Sequence, residues 1–272
     1  MPADRPIQAQ QPIGIFDSGV GGLSILREIR ARLPQEQLIY LADQAHVPYG
    51  PRPLPEIRQF SEAITHHLLN LGAKLIVVAC NTASAAALTS LRQSFPDVPF
   101  VGMEPAVKPA AHQTKSGRVG VLATAGTFAS ERYAELMNRY ANSVAVVEDP
   151  CVGLVDLIEG GQIDGPVTEA RLRSIISPML ASGVDTLVLG CTHYPFIIPT
   201  LARLVGPEVS IIDPAPAIAR QVEWVLAQRG WLREGEPPAP PRYLTTGDAA
   251  AFTRQIGHLL GETAGAETAV LR

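Results

Sequence analysis

Cysteine is scarce in this chain: three stand among 272 residues, at positions 80, 151 and 191. That is too few for a disulfide framework. With no secretion signal ahead of them, they point to free thiols in a reducing cytosol, so a cytoplasmic location is expected. No apolar run approaches the ~20 residues that a membrane span requires, and no membrane association is expected. Basic charge is not in excess: 22 Lys and Arg against 26 Asp and Glu give a net charge of −4. The sequence therefore offers no basic surface from which to argue nucleic-acid binding. The opening MPADRPIQAQQP lacks the apolar core of a signal peptide and reads as a loose tail. The CxxC and HxxxH spacings of common zinc sites are missing too.

What is present begins with composition. Hydrophobic residues make up 46% of the chain and charged residues 18%, enough for a sizeable core with a sparsely charged surface. The length allows one large domain or two of ordinary size. The most informative stretch is LIVVACNT, residues 75–82. A short apolar, β-branched run suits a parallel strand buried on both faces, and the Ala- and Leu-rich stretch after it reads as a helix. Cys80 thus stands where a strand hands over to a helix, the place where open α/β sheets bind ligands. The pattern recurs in TLVLGCTH, residues 186–193, which delivers Cys191, Thr192 and His193.

Strands are expected at 13–16, 38–41, 75–79 and 98–101, with helices at 23–33 and 56–71. The second strand reaches Asp43 and is followed by HVPYGPRPLP, where four prolines in ten residues stiffen a loop. The chain then repeats itself. VGVLAT aligns with IGIFDS, VAVVED with LIYLAD, TLVLGCT with LIVVACN, and VSIIDPAPA with VPFVGMEPA. Four matches in order at nearly constant spacing favour a duplicated α/β half over chance likeness of regular units. Residues 217–227 read as a helix, 242–245 as a strand, 249–260 as a helix and 261–272 as a frayed tail. The expected division is a first domain of residues 1–103 plus 214–272, with the C-terminal segment returning to it, and a second of 104–213.

Two equivalent halves that face each other would place two thiols on either side of one small molecule. Inversion at a carbon needs that arrangement: one group removes a proton from one face while another supplies a proton to the opposite face. A cysteine has a pKa of about 8.5, tunable by a helix N-terminus, and is a usable base. Asn81, Thr82 and Thr192 suit a carboxylate at helix starts. Asp17 is placed to meet an ammonium or orient a thiol, and His193 to exchange a proton with Cys191. A lone buried cysteine is usually a core residue; two at matched strand ends followed by polar residues reverse that expectation. A zinc set of Cys80, Cys191 and His193 is the weaker alternative for want of the usual spacing. Cys151 reads as structural, because its aligned position in the first half is Ala45. The loop at Gly19–Gly22 hints weakly at phosphate, but Ser24 breaks G-x-G-x-x-G.

With these motifs assembled, the sequence closely resembles bacterial glutamate racemases, cofactor-independent enzymes that make D-glutamate for peptidoglycan. The shared stretches are IGIFDSGVGGLSILREI, YLADQAHVPYG, VVACNTASA, VGVLATAGTFAS and LVLGCTHYP, which span residues 12 to about 260. The resemblance implies two pseudo-symmetric, three-layer α/β domains with mostly parallel sheets, the active site in the cleft between them, no cofactor or metal, and usually a homodimer. By position it implies that Cys80 acts on D-glutamate and Cys191 on L-glutamate, with Asp17 and His193 assisting and Glu159 assisting His193. It also implies substrate contacts from Asp17, Ser18, Tyr49, Gly50, Asn81, Thr82, Thr192 and His193, with further carboxylate contacts from Thr124 and Thr127. The chain departs from the family where Val152 follows Cys151 in place of proline, and where Pro53 replaces a common serine. Aspartate racemases share the two-cysteine plan but usually read Cys-Thr-Glu in the second motif. His193 and the loop at Pro48–Gly50 favour glutamate. A non-catalytic binding protein is the other alternative, and it has no need of two thiols.

Overall fold

The computed structural model describes residues 7–236 and 238–271. Its strands are β1 (Ile13–Asp17), β2 (Leu38–Ala42), β3 (Leu75–Val78), β4 (Phe100–Val101), β5 (Arg118–Ala123), β6 (Ala145–Asp149), β7 (Thr186–Gly190), β8 (Ser210–Ile212), β9 (Arg242–Thr245) and β10 (Ala266–Thr268). Between them run α1 (Leu23–Arg32), α2 (Leu54–Asn70), α3 (Asn81–Ser94), α4 (Val107–Gln113), α5 (Ala125–Phe128) and α6 (Glu131–Tyr140). They are followed by α7 (Leu154–Glu159), α8 (Gly165–Ala181), α9 (Ile198–Val205), α10 (Ala215–Gln228) and α11 (Ala249–Leu260). Strands β1, β2, β3 and β7 are buried along their whole length. Near-continuous apolar runs are what a parallel sheet covered on both faces demands.

The strands form two sheets. One has the order β10-β9-β2-β1-β3-β4 and the other β6-β5-β7-β8, and every strand pair described is parallel. The run β2-β1-β3-β4 repeats as β6-β5-β7-β8. All four internal matches in the sequence therefore fall on equivalent strands. In each sheet the chain reverses its direction of winding at the first strand, between β1 and β3 and between β5 and β7. That reversal opens the crevice where α/β sheets receive ligands. Residues 17–18 and 80–82 surround one such crevice, and residues 124 and 191–193 the other.

Two terminal expectations need correction. Residues 261–271 are not a frayed tail, and residue 272 lies outside the described residues. Ala266–Thr268 form edge strand β10 in parallel register with β9. It is held by Arg242, whose guanidinium makes two bonds to Glu267 at 3.0 and 2.7 Å, and by the Ala266 N–H donating to Thr253 Oγ1 at 2.9 Å. The strand carries little apolar weight of its own, so side-chain bonds fix it. The loose-tail reading is also too broad. Residues 1–6 lie outside the described residues, but Ile7–Gln10 form a 3-10 turn. Ala9 is buried there, and its carbonyl accepts a bond from Lys74 Nζ at 3.1 Å. Lys74 also pairs with Glu36 at 2.6 Å and donates to the Trp231 carbonyl at 2.8 Å. Among the described residues no helix is long and apolar enough to cross a membrane.

Candidate active site

Strand β3 ends at Val78, two residues before Cys80, which serves as N-cap of α3 in extended backbone conformation. Its Sγ accepts the Ala83 N–H at 3.4 Å. Asn81 and Thr82 are the first residues of that helix, where N–H groups lack intrahelical partners. On the other sheet β7 ends at Gly190, and Cys191, Thr192 and His193 follow before a 3-10 turn at Tyr194–Ile197. A cavity of about 220 Å³ joins the two strand ends. Ligand pockets commonly hold ~300–1,000 Å³, so this one suits a compact molecule. Ser18, Tyr49, Gly50, Cys80, Asn81 and Thr82 line it from one sheet, and Thr124, Cys191, Thr192 and His193 from the other. Both thiols are nearly buried, with 5% of Cys80 and 6% of Cys191 exposed, so each meets solvent only through this cleft.

Two carboxylates stand directly behind the wall. Asp17, at the end of β1, is wholly buried beside the Cys80 thiol, on which its charge acts. Its Oδ2 also accepts the Gly22 N–H at 2.7 Å and the Thr192 hydroxyl at 3.4 Å, while Ser18 Oγ donates to Oδ1 at 3.4 Å. Burial raises the Asp17 pKa above the usual carboxylate value, against the opposing pull of His193. Burial, followed by the Asp17 charge, pushes the Cys80 thiol well above its ordinary range. Glu159 ends α7, and its Oε1 lies 2.6 Å from His193 Nε2. His193 Nδ1 lies 3.5 Å from Cys191 Sγ. Burial alone would lower the histidine's pKa, but the bonds to Cys191 and Glu159 together carry it well above the ordinary value. Each thiol is thus backed by a proton-exchanging group: Cys80 by Asp17, and Cys191 by a His193–Glu159 pair.

The polar end of the cleft is formed by Asn81, whose side-chain oxygen and nitrogen are both buried without a protein partner. A buried amide in that state is poised for a ligand's polar groups. Thr82 Oγ1 meets Thr124 Oγ1 at 2.9 Å, and Thr124 meets Thr127 Oγ1 at 3.2 Å, so Thr127 sits behind the wall. Val152 is 68% exposed at the rim, and the contact of Glu159 to His193 is intact. Cys151 also lines the cleft; burial raises its thiol pKa, and its Sγ donates to the Asp149 carbonyl at 3.4 Å. Among the described residues no group of three or more His, Cys, Asp or Glu side chains is arranged to hold a metal ion.

Sequence reasoning missed two features. The first is the purpose of the glycine loop. Its amides do not cradle phosphate: the Gly22 N–H is engaged by Asp17, and the Val20 N–H donates to Glu159 Oε1 at 2.8 Å. The glycines make room for the other half, since a Cβ on Gly19 would fall onto the Glu159 carboxylate. The presence of G-x-G-G opposite a Cys-Thr-His motif was the available signal. The second is Asp43, wholly buried after β2. It accepts bonds from Tyr49 Oη at 2.5 Å and Thr246 Oγ1 at 2.7 Å, and its carboxylate stands 2.9 Å from His46 Nδ1. The one hydroxyl proton of Tyr49 is therefore committed to Asp43, which leaves its ring and backbone for the cleft.

Comparison with known proteins agrees with this geometry. The family model described as Asp/Glu/Hydantoin racemase matches residues 23–222. A glutamate racemase of Ectopseudomonas mendocina is 52% identical over 257 residues, covering 94% of this chain and 97% of that protein. A glutamate racemase isoform of Bacillus anthracis superposes with a TM-score of 0.88 at 32% identity, covering 97% and 98% of the two chains. The Escherichia coli glutamate racemase, crystallised with L-glutamate and an activator, superposes with a TM-score of 0.82 at 35% identity, covering 95% and 97%. Likeness of this extent, in sequence and in fold, makes the chain a member of the Asp/Glu/hydantoin racemase family.

Proposed function

We propose that this chain is a cofactor-independent glutamate racemase that interconverts L- and D-glutamate with two cysteine bases and supplies D-glutamate for peptidoglycan. The observation that carries the reading is the meeting of Cys80 and Cys191, from equivalent strand ends, in one cleft. The names of its relatives and the L-glutamate complex of the Escherichia coli enzyme support the substrate. Asn81 and Thr82 receive a substrate carboxylate at the start of α3, and Thr192 and the backbone at Gly50 complete its binding.

In the D-to-L direction the Cys80 thiolate takes the α-proton from one face. The electron pair left on the α-carbon then takes the proton of the Cys191 thiol from the opposite face. One C–H bond breaks, one forms, and the configuration inverts. The turnover leaves Cys80 as thiol and Cys191 as thiolate, the starting state for the reverse direction. Asp17 and His193 restore the first state by accepting a proton from Cys80 and returning one to Cys191. Glu159 holds the imidazolium form of His193 for that step. This scheme uses no metal or organic cofactor, and activity should survive a chelator and removal of pyridoxal phosphate.

The two sheets are read as the cores of two domains, residues 1–103 plus 214–272 and residues 104–213, and a homodimer in the cytosol is the assembly that the resemblance implies. The deciding experiment is polarimetry on L- and D-glutamate and on aspartate. Loss of rotation with either glutamate enantiomer, and none with aspartate, is the expected result. Preference for aspartate would move the chain to the sister activity, and silence with both would leave a binding protein.

A further inference from the structure

We infer that Gln255 is a positioning residue for the site: with Gln44 it forms a two-amide brace that sets Glu159 behind His193. The inference rests on the reading of Glu159 as the partner of His193 in racemisation. Gln255 lies on α11, and its Nε2 donates to the backbone carbonyl of Glu159 at 2.7 Å. Its Oε1 accepts from Gln44 Nε2 at 2.7 Å, and Gln44 Oε1 accepts from Thr245 Oγ1 at 2.9 Å. The direction of this chain of bonds is fixed from one end. A carbonyl only accepts, so Gln255 must present its nitrogen to Glu159 and its oxygen to Gln44, and Gln44 must then present its oxygen to Thr245. Neither amide can flip without opposing like groups.

The site needs this support because α7 is only six residues long. Glu159 is its last residue, and the last carbonyls of a helix have no partner within it. Glycines with positive φ stand on both sides, Gly153 at +80° and Gly161 at +78°, so the flanking backbone does little to hold the helix in place. The short helix is instead anchored from the other sheet by Gln255, with a second tie from His258 Nε2 to the Gly161 carbonyl at 3.0 Å. The brace is closely built at its far end too: a Cβ on Gly247 would come within 2.9 Å of the Gln44 Cβ. Gln44 follows Asp43 directly, so the loop that carries Tyr49 and the helix end that carries Glu159 share one anchor. Moving Glu159 lengthens a 2.6 Å contact to His193 on which the histidine's proton depends.

The test is a double-mutant cycle on the full chain, with Gln255→Leu, Glu159→Gln and their combination, plus Gln44→Leu as a milder break. Circular dichroism and melting establish that each variant is folded. Gln255→Leu should lower kcat about 10-fold, since misplacement by a fraction of an ångström carries such penalties, with KM changed less than about twofold. In the Glu159→Gln background the same change should alter kcat less than about twofold, because its route of action is already cut. Gln44→Leu should show the same pattern to a smaller degree, and it decides the matter if Gln255→Leu fails to fold. Unchanged kcat in both glutamine variants, beside a loss in Glu159→Gln, would overturn the brace alone. Losses that multiply in the combination would overturn it as well and reduce Gln255 to a stabilising contact. An undiminished kcat in Glu159→Gln would instead remove the reading of Glu159 on which the brace depends.

Discussion

Gly21 faces His193 with no room for a side chain between them: a Cβ on Gly21 would lie 2.5 Å from Nδ1 of His193 and 2.6 Å from Oγ1 of Thr192. The ring cannot yield easily, being buried and tied to Cys191 and Glu159. Gly21→Ala should therefore lower kcat by about 100-fold through displacement of His193, the effect expected of an ångström-scale misplacement. The backbone at Gly21 has no positive φ, so the variant should still fold. Steady-state kinetics beside a circular dichroism spectrum check both halves of the statement.

Cys80 and Cys191 make separate demands on isotope exchange. In deuterated water the unaltered enzyme should place deuterium in the enantiomer it produces, while unreacted substrate gains little at early times. Cys80→Ala and Cys191→Ala should remain folded and lose racemisation by at least about 100-fold, the lower range for removing a positioned acid or base. Proton NMR of each enantiomer follows both signals. Equal labelling of substrate and product from the first turnover would mean that one base serves both faces.

Thr82 links the start of α3 to Thr124 of the other half. Thr82→Ala should weaken kcat/KM by about 1–3 kcal/mol, the range for leaving a buried polar partner unsatisfied. Unchanged kinetics with both enantiomers would show that the hydroxyl only ties the halves together.

Asp185 gives a test of stability remote from the cleft. Its carboxylate accepts bonds from Thr114 Oγ1 at 2.6 Å, the Lys115 and Ser116 N–H groups at 2.8 and 2.6 Å, and Thr186 Oγ1 at 2.9 Å. Slight burial acts to raise its pKa, but these donors hold it well below the usual carboxylate value. A depressed folded value means that the stabilisation is complete above the unfolded pKa of about 4 and is lost as pH falls through the folded one. The gap in melting temperature between the unaltered chain and Asp185→Asn should be constant from pH 5 to 7 and shrink steadily below about pH 4.

The repeated strands and both thiols could be read in the sequence because their signal is local. An unbroken apolar run followed by Cys-Asn-Thr or Cys-Thr-His announces a buried strand and what it delivers. The glycine loop carried a misleading local signal. Its meaning lies in contacts with Glu159 and His193, which are far away in sequence, and a glycine does not advertise which neighbour it makes room for. Asp43 looked like the polar end of a strand, and only the fold shows three side chains converging on it. β10 was illegible for another reason: a three-residue edge strand held by Arg242 and Thr253 needs no apolar pattern of its own.

The position of β9 has a consequence for how the protein is made. This strand lies between β2 and β10, yet some two hundred residues separate Ile39 from its partner Arg242. A ribosome releases all of the sheet β6-β5-β7-β8 before it has made the strand that must settle beside β2. During that interval β2 presents an unpaired apolar edge, the kind of surface that aggregates or recruits chaperones. Thr246 and Gln255, the anchors of Asp43 and Glu159, arrive later still, so the nascent chain carries both thiols well before it can hold them in working order.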